Sequence, residues 1–268
     1  VGACSARCVF CVYDSEKNRK LPKKPMPMEL FRKIIDDAAT IPQITEVAFA
    51  GLAEPLMDPF LDERIIYTRE VCPDKRTEMY TNAFTLTPER FERLKAIGLH
   101  ILVISLNAAN AEQHERQMGV KGKYDLVCAN ADYAIAHRGS MYVDVRAVVH
   151  SDVFTVDDAR AFIKRWGSIQ LGGHGKLISE RNWAGGNRTV VEFDPNECCK
   201  RALEQISVHR DGRVNLCCYD PLSEYPFGDL KTQTLREIYN SAPYVEFREW
   251  HRDNQAAKHP LCKICTRV

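Results

Sequence analysis

Three cysteines, Cys4, Cys8 and Cys11, lie within eight residues near the start of the chain, in the run CSARCVFC. Phe10 directly precedes the last of them. Thiolates bind a zinc ion or the irons of an iron–sulfur cluster. Structural zinc uses four closed ligands, commonly as two pairs, and this loop has three cysteines and no neighbouring histidine. A cubane cluster held by three cysteines leaves one iron open, as catalysis requires. The spacing therefore favours an iron–sulfur cluster with one open coordination position.

The cysteine content as a whole points to metal binding. Eleven cysteines in 268 residues is a high and odd count, and a secreted disulfide scaffold would be a shorter, loop-rich chain. Seven of the eleven fall in metal-ligand spacings at the two ends of the chain. Cys72 and Cys128 lie in segments with helical patterns, and we predict that they are buried, unreactive thiols. This usage predicts a reducing compartment, and hence a cytoplasmic protein.

Composition and charge exclude several partners. The chain is 45% hydrophobic and 27% charged, with a formal net charge of +1, which predicts no long-range attraction to nucleic acid or to an anionic membrane. No run of about 18 apolar residues could span a bilayer, and no segment resembles a signal peptide. We therefore predict a small-molecule substrate and neither nucleic acid nor membrane as a partner.

From Pro27 to about residue 180, short apolar runs alternate with segments of helical periodicity. The predicted strands are TEVAFAG, RTEMYTNAF, HILVISLNA, MYVDVRAVVH and LISERN. Strands separated by helices form βαβ units and a parallel sheet. Ligands of such sheets gather at the carboxyl ends of the strands. We therefore expect the chemistry of this chain to follow its strands.

Polar residues do follow them. Glu54 comes after the first strand and Asn82 after the second, Ser105 and Asn107 end the third, and Arg146 lies in the fourth. Taken singly, such residues are more often turn or cap residues than ligands, and Arg146 could equally lie on an exposed face of its strand. Their order along the chain is what makes them a candidate site.

The CxxxCxFC loop resembles the signature of the radical S-adenosylmethionine (SAM) enzymes. In that family the open iron chelates the amino and carboxylate groups of SAM, and reduction of the 4Fe–4S cluster releases a 5′-deoxyadenosyl radical that abstracts hydrogen from the substrate. The resemblance implies that Phe10 contacts the adenine. The segment AFAGLAEPLMDP resembles the Gly-Gly-Glu segment of the family, which implies that Glu54 accepts a hydrogen bond from the SAM ammonium. Ala53 stands where the family has a second glycine.

Further motifs extend the resemblance. TNAF is similar to the Thr-Asn-Gly of the family, which implies that Asn82 lies near the ligand. Ser105 and Asn107 stand where the family presents polar groups to the ribose. Arg146 is expected to pair with the SAM carboxylate, because a guanidinium matches carboxylate geometry. The implied fold is α/β, a partial (β/α)6 TIM-like barrel that is open at its side and spans residues 1–184.

The character of the chain changes after about residue 185. ISVHRDGRVNLC predicts a hairpin with Asp211-Gly212 as its turn, and short helical segments follow. This part, residues 185–268, resembles the twitch and SPASM extensions, which carry auxiliary 4Fe–4S clusters. The resemblance implies four ligands: Cys199, Cys217, Cys262 and Cys265. Three residues follow the last of these, which favours the short twitch form with one auxiliary cluster. Zinc is the alternative at this site.

Two further cysteines, Cys198 and Cys218, neighbour these ligands. They are inert thiols, alternative ligands or hydrogen-atom donors, and we rank inert first. The resemblance to twitch enzymes implies oxidation of a secondary alcohol of an aminocyclitol or sugar in natural-product biosynthesis, with a flavodoxin- or ferredoxin-type reductant. Arg181 would hydrogen-bond the substrate hydroxyl, with Asn182 and Trp183 as pocket candidates.

Three alternatives to this reaction stay open. An epimerase would need a thiol hydrogen donor, for which Cys218 or Cys198 is available. A peptide-modifying enzyme would typically carry an additional leader-binding domain. A non-catalytic iron–sulfur or zinc module would need neither the open iron nor the polar residues at the strand ends.

Overall fold

The structure, a computed structural model, describes residues 2–149, 153–179, 196 and 198–265. The chain folds as two compact units. The first contains the described residues of Val1–Val9 and Pro42–Glu180, and the second those of Phe10–Ile41 and Arg181–Val268. The predicted domain boundary between residues 184 and 185 lies outside the described residues and stays a prediction. None of the described helices is both long and apolar enough to cross a membrane.

The helices and strands follow the predicted alternation. The α-helices are α1 (Glu16–Arg19), α2 (Met28–Ala39), α3 (Leu61–Val71), α4 (Pro88–Ala96), α5 (Ala111–Met118), α6 (Tyr124–Ala136), α7 (Val156–Trp166), α8 (Lys200–Glu204), α9 (Leu235–Tyr239), α10 (Ala242–Arg252) and α11 (Pro260–Lys263). The strands are β1 (Glu46–Phe49), β2 (Arg76–Thr81), β3 (Ile101–Ser105), β4 (Tyr142–Val149), β5 (Gly175–Ser179), β6 (Ser207–Val208), β7 (Arg213–Asn215) and β8 (Gly228–Asp229).

The first unit is built on a parallel sheet. Its five described strands pair in chain order, β1-β2-β3-β4-β5, with every neighbouring pair parallel. Helices α3, α6 and α7 pack on β2, β4 and β5. This confirms the α/β fold class, with five strands in the part that the structure describes. The fifth strand begins at Gly175, two residues before the predicted one, because Val145 of β4 already pairs with Gly175.

The two faces of this sheet differ in character. Side chains alternate across a strand, and the face that carries Met79, Leu102 and Val143 is buried and mostly apolar. The opposite face carries Glu78, Tyr80, Ser105, Asp144 and Arg146 on the same strands. Glu78 and Asp144 are buried and the other three are half-buried, so this face is a candidate for chemistry rather than for packing.

Capping side chains determine where the helices that follow the strands begin. Thr87 accepts a hydrogen bond from the backbone N of Arg90, and Asn110 accepts one from Gln113. Thr155 forms a reciprocal capping box with Asp158. Such caps satisfy backbone donors that a helix start otherwise leaves unpaired. The turns between strand ends and helices are thereby fixed by local sequence.

The second unit contains a small antiparallel sheet in the order β6-β7-β8. The predicted hairpin is present, but its turn is centred on Arg210 and Asp211, because the backbone N of Gly212 donates to the carbonyl of His209 over 2.9 Å. Gly212 follows with φ +95°, a conformation that favours glycine. The third strand, Gly228–Asp229, was not predicted from the sequence.

Helix α2 belongs to the second unit and is hydrogen-bonded to residues 230–235 of the C-terminal part of the chain. Lys33 Nζ donates to the carbonyl oxygens of Leu230 and Gln233, the latter over 2.6 Å. Asp37 Oδ2 accepts from the backbone N of Leu235 over 3.2 Å. A segment from the start of the chain is therefore part of the same compact unit as residues about 200 positions later.

Candidate functional site

The cysteine loop of the first unit is anchored to the end of α5. The backbone N of Arg7 donates to the carbonyl of Met118, and that of Val9 donates to the carbonyl of Gln117, each over 2.9 Å. Gly119 ends α5 with φ +65°, and a Cβ there would lie 2.4 Å from the Arg7 carbonyl oxygen. The loop can approach the helix this closely only because residue 119 is glycine.

Glu54 is buried directly after β1 and is 2% exposed. Its Oε1 accepts from Thr81 Oγ1 over 2.6 Å and from the backbone N of Leu56 over 3.1 Å, and its Oε2 accepts from the backbone N of Asn82 over 2.8 Å. Burial raises the pKa of the Glu54 carboxyl, and these hydrogen bonds oppose that rise. A carboxylate offers about four acceptor positions, so one position on Oε2 remains for a ligand.

Asn82 connects the end of β2 to the cysteine loop. Its Nδ2 donates to Ser5 Oγ over 3.0 Å and lies 4.0 Å from Cys4 Sγ. Ala83, which stands where the resembling family has glycine, adopts φ +59° and is fully buried. Asn130 Nδ2 holds the Ala83 carbonyl over 2.8 Å. The loop after β2 thus has an alanine with positive φ at the position where the family has glycine.

Asn107 and Met118 connect β3 to the cysteine loop. Asn107 Nδ2 lies 3.2 Å from Met118 Sδ, and Cys8 Sγ lies 3.6 Å from the same sulfur. Asn107 Oδ1 accepts from the backbone N of Val148, and its own backbone N donates to the carbonyl of Arg146. Asn107 therefore ties the ends of β3 and β4 together, with a φ of +58° that asparagine tolerates.

Arg146 lies on the polar face of β4, in register with Ser105 of β3. Its Nε donates to Asp144 Oδ2 over 2.7 Å, its Nη1 donates to Tyr80 Oη over 3.3 Å, and its guanidinium lies 5.1 Å from the centre of the Tyr80 ring. Asp144 is 1% exposed. The guanidinium is therefore held by a buried carboxylate and an aromatic ring rather than extending freely into solvent.

Glu78 adds a second carboxylate to this face. Burial, and then the negative charge of Glu46, raise the pKa of Glu78 to about 7. Tyr80, which lies between Glu78 and Arg146, has its pKa raised mainly by burial. The polar face therefore combines the Arg146–Asp144 ion pair with a carboxyl group, Glu78, whose charged form is disfavoured by burial and by Glu46.

The second unit brings four cysteines to one cavity. Its lining includes Cys199, Cys217, Cys262, Cys265, Arg201, Tyr219, Phe247 and His251. Burial raises the pKa of the Cys217 thiol well above its usual value, as expected for thiols that are stabilised as thiolates only when they bind metal. Four thiols around one cavity are a donor set that fits a 4Fe–4S cluster. These four are the cysteines that the sequence predicts as auxiliary ligands.

The other predicted site residues are placed as follows. Cys11 begins the 3-10 helix Val12–Asp14 in the second unit, where its Sγ accepts from the backbone N of Tyr13. Phe10 belongs to the same unit and is half-buried, and Cys218 is exposed. Cys198 and Cys218 are absent from the lining of the four-cysteine cavity. Arg181, Asn182 and Trp183 lie outside the described residues.

No three His, Cys, Asp or Glu side chains among the described residues converge closely enough to hold a single metal ion. Neither cysteine set is therefore drawn together around one point. Cys72 and Cys128 are buried, as predicted.

Several site residues escaped the sequence reasoning. Tyr80, Asp144, Met118 and His251 contact predicted site residues. Tyr80 and Asp144 alternate with hydrophobic neighbours on β2 and β4, and this alternation is the sequence signal that could have identified them. Met118 and His251 lie on helices and reach the cysteines through tertiary packing, for which a single sequence carries no signal.

Known protein families match both parts of the chain. The pattern of the Radical SAM superfamily matches residues 1–150, more than half of the 268 residues. The chain belongs to the radical SAM superfamily. A second match, to the SPASM iron–sulfur cluster-binding domain, covers residues 198–266. The predicted family and the predicted cofactor classes, SAM with its 4Fe–4S cluster and an auxiliary iron–sulfur cluster, are confirmed. The chain is thus a radical SAM enzyme rather than a non-catalytic iron–sulfur module.

Individual relatives of this radical SAM enzyme are distant. It is 22% identical over 265 residues to the S-adenosyl-L-methionine-dependent 2-deoxy-scyllo-inosamine dehydrogenase of Niallia circulans, covering 99% of this chain and 89% of that one. It resembles the structure of BtrN in complex with AdoMet and 2-DOIA at a TM-score of 0.70 and 19% identity, covering 100% of this chain and 90% of that one. Streptococcus suis SuiB bound to precursor peptide SuiA gives a TM-score of 0.71 at 14% identity, covering 92% and 64%. These structural likenesses show the fold.

Proposed function

We propose that this radical SAM enzyme is a dehydrogenase that oxidises a secondary alcohol of an aminocyclitol or related sugar to a ketone. The observation that carries the proposal is that four cysteines line one cavity of the second unit. A cluster with four protein ligands has no open iron for substrate, so its role is to accept an electron. The dehydrogenase relative that aligns with 99% of the chain supports this reaction class.

The cysteine loop and the residues that follow β1 and β2 supply the SAM site in this proposal. Cys4, Cys8 and Cys11 hold the SAM-binding cluster, and Phe10 contacts the adenine. Glu54 accepts from the SAM ammonium at the acceptor position left on Oε2, since its other positions are used by Thr81, Leu56 and Asn82. Asn82 fixes the loop beside the ligand through Ser5.

The ribose and carboxylate contacts come from the ends of β3 and β4. Ser105 is half-buried on the polar face and is available to a ribose hydroxyl. Asn107 Oδ1 already accepts from Val148, and its second acceptor position serves the same ribose. Arg146 binds the SAM carboxylate, because Asp144 and Tyr80 hold its guanidinium in one orientation.

When bound, the first cluster together with SAM would supply the hydrogen-abstracting radical, and the auxiliary cluster would supply an electron acceptor. We assign Cys199, Cys217, Cys262 and Cys265 as ligands of the latter. Arg181 hydrogen-bonds the substrate hydroxyl and assists loss of its proton. The reductant is a flavodoxin- or ferredoxin-type protein, and the high cysteine content of the chain, eleven in 268 residues, fits a reducing, cytoplasmic setting.

Epimerisation and peptide modification are the alternatives to alcohol oxidation. Epimerisation would use Cys218, which is exposed, as a hydrogen donor. Peptide modification is suggested by the likeness to SuiB, but this chain spans 64% of SuiB and 90% of BtrN, so the smaller enzyme is matched more fully.

The test is a product analysis with anaerobically reconstituted, reduced protein, SAM and a panel of aminocyclitols that includes 2-deoxy-scyllo-inosamine. Dehydrogenation gives 5′-deoxyadenosine and a product lighter by two hydrogens. Epimerisation leaves the mass unchanged in water and adds one deuterium in heavy water. Absence of any aminocyclitol product, with turnover of a peptide instead, would contradict the proposal.

The cofactor content is tested separately by counting iron and sulfide. Two cubane clusters predict about eight irons per chain, which fall to about four in the double variant Cys262→Ala, Cys265→Ala. An iron count that stays the same in the double variant removes the auxiliary cluster from the proposal.

A further inference from the structure

A buried histidine lies between two of the auxiliary cysteines. His251 is on α10 and is 1% exposed. Its Nδ1 lies 3.2 Å from the backbone N of Cys199, and its Nε2 lies 3.7 Å from Cys262 Sγ. Cys199 precedes α8 and Cys262 lies within α11, so one imidazole contacts two of the three segments that carry proposed ligands.

The contact with Cys199 determines which ring nitrogen carries the proton. A backbone N–H is a donor only, so His251 Nδ1 accepts from it and is unprotonated. The proton of the imidazole is therefore on Nε2, the nitrogen that faces Cys262 Sγ. The ring thus presents an N–H donor to that sulfur.

Packing holds the ring in this orientation. The Phe247 ring, one turn earlier on α10, meets the His251 ring edge-on, with the ring centres 4.7 Å apart. Phe247 and His251 both line the four-cysteine cavity. His251 and Cys262 are both buried, and a buried hydrogen bond is electrostatically stronger than the same bond in water.

We propose that His251 donates its Nε2–H to the Cys262 sulfur and thereby raises the reduction potential of the auxiliary cluster. Hydrogen bonds to ligand sulfurs are among the factors that determine iron–sulfur potentials. The sulfur carries more negative charge in the reduced cluster, so the donor stabilises the reduced form more than the oxidised one. A higher potential makes the cluster a better electron acceptor. The inference rests on the proposed assignment of Cys262 as a ligand and not on the identity of the substrate.

The test compares two substitutions at one position. His251→Leu removes the donor, whereas His251→Gln keeps an N–H near the position of Nε2. Both are made in the full chain carrying Cys4→Ala, Cys8→Ala and Cys11→Ala, so that the auxiliary cluster alone is observed. Its reduced fraction is measured by electron paramagnetic resonance at a series of fixed solution potentials.

The matched control is His259→Asn. His259 is half-buried, packs against the same Phe247 ring and caps α11 by accepting from the backbone N of Leu261. Its ring nitrogens show no contact with a cysteine sulfur among the described hydrogen bonds. Asparagine keeps the cap, so this variant tests whether a change near the cavity suffices to move the potential.

In His251→Leu we expect the ratio of reduced to oxidised cluster to fall about tenfold at a given potential, a shift of about 59 mV to lower potential for a one-electron couple. His251→Gln recovers most of it, and His259→Asn leaves it unchanged. Equal potentials in His251→Leu and the parent, at equal iron content, overturn the inference while leaving the proposed function intact. Failure of the parent to bind about four irons overturns the ligand assignment and the inference with it.

Discussion

The guanidinium of Arg146 is held by the buried carboxylate of Asp144, with Nε and Oδ2 2.7 Å apart. Side chains two residues apart on a strand point to the same face, so the pair is internal to β4. Asp144 is 1% exposed, and its Oδ1 has no hydrogen-bond partner among the described residues. A buried carboxylate with one oxygen unused is costly, and the role proposed for the pair is to position Arg146.

Asp144→Asn therefore tests the orientation of Arg146. The substitution removes the charge that fixes Nε, and we expect the dissociation constant for SAM to rise on the order of tenfold. Equilibrium binding of SAM to the reconstituted protein measures it. Asp62→Asn is the control, because Asp62 pairs with Arg90 and Arg93 of α4 and not with Arg146. Equal SAM affinity in Asp144→Asn and the wild type would contradict the role given to Arg146.

Gly119→Ala tests the anchoring of the cysteine loop. A Cβ at residue 119 would meet the Arg7 carbonyl oxygen at 2.4 Å, so the loop must move, and we expect a loss of about four irons per chain. Gly122→Ala is a close match, since Gly122 has the same φ of +65° but nothing within 4 Å of its Cβ position. It should lose about 1 kcal/mol of stability from backbone strain alone and keep its iron. Equal iron loss in the two variants would contradict the anchoring role of α5.

Glu54→Gln separates ligand binding from capping. The amide nitrogen would face the backbone N–H of Asn82, so a hydrogen bond is lost at a cost of about 1–3 kcal/mol, and SAM loses the carboxylate proposed for its ammonium. Thr81→Val, the control, removes the hydroxyl that donates to Glu54 Oε1 but leaves the charge. We expect both variants to lower the unfolding temperature and Glu54→Gln alone to weaken SAM binding about tenfold or more. Equal SAM affinities in the two variants would show that Glu54 is only a cap.

Glu78→Gln tests the raised pKa on the polar face. The pKa of Glu78 is about 7 in the folded chain and 4.5 without its surroundings. Between these values the folded state keeps a proton that the unfolded state has lost, so the free energy of unfolding falls as the pH rises through this window. Glutamine does not titrate. We expect Glu78→Gln to gain about 1–2 kcal/mol relative to the wild type between pH 5 and pH 8, measured by urea unfolding at both pH values. A pH-independent difference would rule out this titration.

The sequence predicted local features of the fold well. Hydrophobic periodicity identified β2, β3 and α4, because burial on one face repeats along the chain and needs no distant partner. The resemblance to the twitch and SPASM extensions predicted the four cysteines that line the cavity of the second unit. The third strand of the small sheet, Gly228–Asp229, was missed, because two residues that include a glycine carry no strand pattern.

The sequence did not predict which distant segments are in contact. The grouping of α2 with the C-terminal residues depends on Lys33 and Asp37, which look like ordinary exposed helix residues in the sequence. Likewise, Met118 meets both Cys8 and Asn107 only because α5 ends beside the loop. Periodicity reports which side of an element is buried, but not which distant segment buries it.

The most direct test of the central claim follows a single hydrogen. An aminocyclitol labelled with deuterium at the carbon that bears the reacting hydroxyl is incubated anaerobically with reduced protein and SAM. The masses of the products are then measured by mass spectrometry. A radical SAM dehydrogenase transfers that deuterium to 5′-deoxyadenosine and releases a ketone in equal amount. Ketone formed with unlabelled 5′-deoxyadenosine, or labelled 5′-deoxyadenosine without any ketone, would contradict it.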